Sequence, residues 1–126
     1  MIITMVSQDK LSLSMFVDFY KTLYDSDAVV LDLNTLNSRN ILDAIVKDAT
    51  SNNPRATSEQ GAILIKLKTS KKIDIKDLPS EIEQRSAYIV QFDLFSTKPE
   101  VLKDRDGKFA PILARWEDNI EKKNKQ

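Results

Sequence analysis

Ala87-Tyr88-Ile89-Val90-Gln91-Phe92-Asp93-Leu94-Phe95 is the stretch on which the fold turns. Tyr88, Val90, Phe92 and Leu94 fall on one side of an extended chain, and Ile89, Gln91 and Asp93 on the other, which is the period of a strand. Upstream, Asp77-Leu78-Pro79-Ser80-Glu81 marks a turn into a single helical turn. Before it, Ile73 and Ile75 alternate across a basic segment and predict a short extra strand. Ala62 to Lys68 reads as another strand, joined to that segment through a Thr69-Ser70 turn.

Further back, Thr50 to Gln60 is polar, aperiodic and broken by Pro54, so a mobile loop is expected at about 50–60. Ile41, Leu42, Ile45, Val46 and Ala49 lie on one face of a helix whose start is marked by the polar run Asn34 to Asn40. Ala28 to Leu33 is a strand, and Leu13, Phe16, Val17, Tyr20, Leu23 and Tyr24 mark a helix that Ser7 or Asp9 can cap. Ile2 to Val6 is the first strand. Downstream of Phe95, Ser96-Thr97-Lys98-Pro99-Glu100 has the form of a helix start, with Thr97 or Lys98 near the cap and Pro99 in the first turn. Asp104-Arg105-Asp106-Gly107 is a turn. A last helix from Pro111 buries Ile112, Leu113, Trp116 and Ile120, and ends in a frayed tail at about 121–126.

The resulting order is β-α-β-α-β-β-α, and the expected fold is α+β (or α/β). It is a single domain over 1–126, with a mixed four- to five-stranded sheet, about three helices and right-handed βα crossovers.

Composition removes much chemistry. The 126 residues contain no histidine and no cysteine, and their two glycines, Gly61 and Gly107, are far apart. That excludes a Ser-His-Asp triad, a nucleophilic cysteine, a Cys/His zinc site and a glycine-rich phosphate loop. Neither catalysis, nor a cofactor, nor a metal is expected. Lysine plus arginine equals aspartate plus glutamate at 19 each, so electrostatic preferences must be local. The apolar run at Met1–Val6 is too short for a signal peptide or a membrane span, which makes a cytoplasmic location the default expectation.

Asp25, Asp27, Asp32 and Asn34 form the nearest thing to an acidic site. Val29-Val30-Leu31-Asp32-Leu33-Asn34-Thr35 resembles the apolar strand and Asp-x-Asp of haloacid-dehalogenase-like phosphotransferases, but Asn34 replaces the second carboxylate and this strand is the second, not the first. A solvated turn with a helix cap is the expectation. Asp104-x-Asp106-Gly107 fails as a calcium loop, because glycine is fourth and Arg115 occupies the twelfth position. Trp116 is expected to pack in the core, and Tyr20 and Tyr24, one helical turn apart, to be half-buried packing residues.

Lys66, Lys68, Lys71, Lys72 and Lys76 form the concentrated basic patch, and with Arg115 and Lys122 of the last helix and the Asn52–Gln60 loop they are the candidate partner-binding residues. The chain is expected to be a small non-enzymatic binding or regulatory protein acting through a protein surface, with another protein as partner or a homo-oligomer as its form. One alternative is a virion or tail-completion structural subunit. The lysine-, isoleucine- and asparagine-rich, glycine-poor composition of AT-rich phages or mobile elements points that way, as does a long strand followed by a terminal helix. A second alternative is an RNA-binding repressor using the lysines with Tyr88 and Phe92 turned outward as a stacking platform.

Overall fold

The computed structural model describes residues 1–93 and 98–124, apart from the side chains of residues 123 and 124. Five strands, β1 (Ile2–Ser7), β2 (Val29–Asn34), β3 (Ile63–Lys68), β4 (Tyr88–Phe92) and β5 (Glu100–Asp104), form one sheet in the order β2-β3-β1-β4-β5. The first four are parallel and β5 runs antiparallel to β4. Helices α1 (Lys10–Leu23), α2 (Arg39–Ser51), α3 (Ser80–Arg85) and α4 (Ala110–Asn124) cover both faces. This is the single-domain mixed fold that the sequence implies.

Local chemistry sets the helix starts. The Asp9 carboxylate accepts from the amides of Leu11 and Ser12 at 3.1 and 3.3 Å, and the Ser38 hydroxyl accepts from the Ile41 amide at 3.3 Å. Each of the first two helices buries part of the stripe read from its periodicity, while Leu23 and Tyr24 at the end of α1 and Ile41 and Ile45 of α2 stay exposed. Leu13, Phe16, Val17, Phe19 and Tyr20 of α1 join Phe109, Leu113 and Trp116 over the side of the sheet that carries Ile3, Met5, Leu64, Tyr88 and Val90. Leu42 and Val46 of α2 and Ile82 of α3 cover the opposite side with Ile2, Val6, Ile63, Ile65, Leu67 and Ile89. Because both sides are covered, the central strands read as unbroken apolar runs rather than as alternations.

The chain moves from β1 past β3 to β2 with α1 on one face. It then returns through β3 and past β1 to β4 with α2 and α3 on the other. A change of direction together with a change of face keeps all the crossovers of one hand, as the twist of parallel strands requires. The connections after β1 and β3 therefore leave on opposite faces, and in such sheets ligands are usually held outside the carboxyl ends of the strands.

Three expectations are corrected. Ile73–Ile75 is not a strand: a 3-10 turn occupies Ile75–Asp77, and no second strand follows β3 through Thr69-Ser70. The two isoleucines alternate because both pack on the α2–α3 side of the core, while the Ile73 main chain bonds to a side chain instead of a strand. After Pro99 the chain forms β5, not a helix. Glu100 to Asp104 pairs with β4 through the register Gln91↔Glu100 and Tyr88↔Asp104, with a bulge near Ile89 and Val90. A proline and charges suit an edge strand as well as they suit a helix start. Third, Tyr88 and Phe92 are buried against α1 and α4 and form no outward platform. The expected continuation through Leu94 and Phe95 and the cap at Thr97 lie outside the described residues.

The stretch at 50–60 carries the end of α2, a 3-10 turn at Pro54–Ala56, and carbonyls of Arg55 and Ser58 that, with that of the following Gly61, accept from the Met1 amino group. The last helix continues through Asn124 into the segment expected to fray. The Asp104–Gly107 turn forms as expected, with Gly107 at φ 73° and its amide donating to Asp104 at 2.9 Å.

Candidate functional site

Two features on the β2 side of the molecule combine exposure with chemistry. The first is the edge. Among the described residues β2 pairs with β3 alone, so its other side presents main-chain groups without a strand partner. Val29 and Val30, on its two faces, are each 37% exposed. On α2, Asp43 faces α3, where it accepts from the Glu81 amide at 2.9 Å. Ile41 and Ile45 lie on the opposite flank of that helix, the side of the open edge, and are 51% and 39% exposed. Exposed apolar side chains thus stand on both faces of the open strand and on the flank of α2 nearest it.

The second feature is a cavity of about 280 Å³ at the carboxyl ends of β2 and β3, under the first turn of α2. Thr35, Thr69 and Ser70 line it as hydroxyl residues, the Thr35 hydroxyl itself donating to the Lys68 carbonyl at 3.3 Å. Arg39 and Lys71 supply positive charge, and Leu67, Ile73 and Pro79 supply apolar wall. Arg39 is held in place by a bond from its Nη2 to the Asp77 carbonyl at 2.8 Å. The Asp77 carboxylate accepts from the Asp74 amide at 3.0 Å. Thr35 follows the strand ladder, its amide donating to the Lys68 carbonyl at 3.0 Å. Thr69 is buried, and its hydroxyl has no hydrogen-bond partner among the described residues.

Among known proteins, no family model, no curated protein and no solved structure matches this chain.

The basic residues singled out from the sequence do not form one patch. Lys66 and Lys68 point to the α1 face of the sheet by strand alternation, where the Lys66 ammonium lies 3.2 Å from Ser14 Oγ and 3.8 Å from Asp32. Lys71 reaches the cavity on the other face. Lys72 pairs with Glu100 at 3.4 Å, and Lys76 is exposed on the 3-10 turn. Arg115 lies over the Tyr24 ring at 5.7 Å, beyond the far end of α1, and Lys122 is exposed near the end of α4.

The acidic residues do not converge either. Asp25 accepts from Arg55 at 2.6 Å and from the Ala62 amide at 2.9 Å, which ties the α1–β2 turn to the entry of β3. Burial works against its ionisation, but those bonds and one from the Asp27 amide outweigh it and hold the carboxyl below the usual range. Asn34 closes a turn by accepting from the Leu36 amide at 3.0 Å, while the cap of α2 is Ser38. Among the described residues no group of three or more metal-ligating side chains comes together, and no helix is long and apolar enough to cross a membrane.

Sequence reasoning missed the residues that build the cavity: Thr35, Arg39, Thr69 and Ser70. The available signal was positional. Hydroxyl and basic residues directly follow two strands, and the carboxyl end of a parallel sheet is where α/β folds hold ligands. Seeing them as one site requires knowing that β2 and β3 are neighbours.

Proposed function

We propose that this chain is a small non-enzymatic binding and regulatory protein that works through a protein surface, and that the surface is the open β2 edge with the outer flank of α2. The observation that carries the reading is the coincidence of an unpaired strand edge with exposed Val29, Val30, Ile41 and Ile45. Exposed apolar side chains grouped along an available edge mark an interaction site, and main-chain bonds to an added strand supply affinity while flanking side chains supply selectivity. The lack of histidine and cysteine in the sequence supports a role in binding rather than reaction chemistry.

The first occupant to test is a second copy, because antiparallel pairing of two β2 strands is two-fold symmetric and hence self-complementary. The molar mass of the native chain is to be measured by light scattering over a range of concentrations, beside Val30→Lys and Ile45→Glu. A concentration-dependent dimer that both substitutions reduce to monomer, with an unchanged circular dichroism spectrum, supports this surface. A strict monomer at high concentration overturns self-association, and self-association that neither substitution weakens moves the surface elsewhere.

The structural-subunit reading draws on a separate observation. Strand β5 is a second sheet edge on the opposite side, and its Val101 is exposed. Pairing β5 of one copy with β2 of the next is heterologous and builds rings or chains. A mass of several protomers with closed-ring stoichiometry would favour it over the dimer.

A further inference from the structure

We propose that the cavity between the carboxyl ends of β2 and β3 and the first turn of α2 binds a phosphate monoester of a small organic molecule. The observation that points to a ligand is Thr69. It is 2% exposed, it belongs to the cavity wall, and its hydroxyl has no partner among the described residues. A buried hydroxyl without a partner is costly, and valine would occupy the same space without that penalty. The hydroxyl is explained if an acceptor in the cavity completes its bonding.

The surroundings specify what that acceptor is. Arg39 uses one nitrogen on the Asp77 carbonyl, and its fork carries further N–H donors. Lys71 adds a second positive charge, against the single carboxylate of Asp77. Arg39 is also the first residue of α2, so the positive end of that helix dipole lies beside the cavity. Hydroxyl residues, an arginine and a lysine lining one cavity suit a tetrahedral oxyanion with several acceptor oxygens better than a single-acceptor group. The other wall, made of Leu67, Ile73 and Pro79, is apolar and would be idle against free phosphate. A volume of about 280 Å³ lies just under the range for drug-sized ligands, which limits the organic part to the size of a sugar or a nucleoside.

The test uses the full native chain with three probes: inorganic phosphate, ribose 5-phosphate and adenosine 5'-monophosphate. Binding is to be read by calorimetry at low salt and by amide chemical shifts. The expected result is saturable binding of at least one ester, roughly tenfold or more tighter than inorganic phosphate, with the largest shifts at residues 35–41 and 67–73. Arg39→Gln is expected to weaken that binding roughly tenfold. Thr69→Val is expected to weaken it several-fold while raising the Tm of the unliganded chain, a pair of opposite effects that general damage to the fold would not produce. Absence of saturable binding, shifts centred elsewhere, inorganic phosphate binding as tightly as the esters, or unchanged affinity in both variants would overturn the proposal.

Discussion

Gln91 and Ile73 are joined twice: the Ile73 amide donates to Gln91 Oε1 at 3.0 Å, and Gln91 Nε2 donates to the Ile73 carbonyl at 2.9 Å. A buried side-chain amide on β4 thus does for one residue what a neighbouring strand would do, and it anchors the crossover that leads from β3 past β1. Replacing it by leucine fills the space but leaves both main-chain groups of Ile73 unpaired. Gln91→Leu is expected to lower unfolding stability by about 2 kcal/mol in urea titration. Amide hydrogen exchange should accelerate across residues 69–77. Unchanged exchange there would show that the crossover is held by Ile73 and Ile75 packing alone.

Asp25 ties three separated segments together through Arg55 and Ala62, and its carboxyl is held below its ordinary value of 3.8. The folded state therefore binds fewer protons than the unfolded state in this range, and stability rises with pH there. The contribution is fully present above the unfolded value and is lost as pH falls through the lower folded value. Asp25→Asn is expected to be less stable at neutral pH and to show a flatter decline below about pH 4 than the native chain. Parallel decline of the two proteins would remove Asp25 from the acid-sensitive groups.

Phe16 is the hub of an aromatic cluster, with ring centroids 5.3 Å from both Phe92 and Trp116 and 5.6 Å from Phe19. It is fully buried between α1, α4 and β4. Phe16→Ala leaves a cavity that three other rings cannot fill without leaving their rotamers, and a loss of about 3–5 kcal/mol is expected by chemical denaturation. The near-ultraviolet circular dichroism of Trp116 should collapse with it. A loss under about 1 kcal/mol would mean that the cluster repacks freely, contrary to close packing.

The parts of this fold legible in the sequence are those governed by local periodicity. The buried positions Leu13, Phe16, Val17 and Tyr20 of α1, Leu42 and Val46 of α2, and the runs at Ile2, Ile63 and Tyr88 needed only spacing, because helix and strand faces are written every three to four or every two residues. The same spacing took in Leu23, Tyr24, Ile41 and Ile45, which stay exposed. Glu100–Asp104 was not legible as a strand. Five residues with a preceding proline fit either element, and β4 decides between them through pairing that no local signal encodes. The Ile73–Ile75 alternation misled for the same reason: burial of both isoleucines is real, but the ladder partner is a glutamine side chain 18 residues on. The lysines of residues 66–76 look like one patch along the chain. In space they divide, since strand alternation sends Lys66 and Lys68 to one face while the turn after β3 carries Lys71 to the other. A site made of Thr35, Arg39 and Thr69 depends on which strands are neighbours, and that information lies in topology.

Tyr88 stacks on Phe109 with centroids 4.7 Å apart, and its hydroxyl donates to Asp106 at 2.9 Å, which joins β4 to the turn before α4. Burial, then the hydrogen bond to Asp106, pushes its phenol from 10.0 up to about 12. Tyr20 is raised to about 12 as well, by burial and then by the charge of Asp25. Raised values mean that the folded state keeps these protons after the unfolded chain has begun to lose them. The stability they contribute is intact below pH 10 and falls as pH rises from 10 to 12. Tyr88→Phe removes one of these two groups, and its stability should decline less steeply over that interval, although it starts lower for want of the Asp106 bond. The lag of tyrosinate absorbance in the folded native chain behind the unfolded chain should shrink by one phenol in the variant. Equal lag in both proteins would place the late-titrating phenol elsewhere and break the argued link between β4 and the Asp104–Gly107 turn.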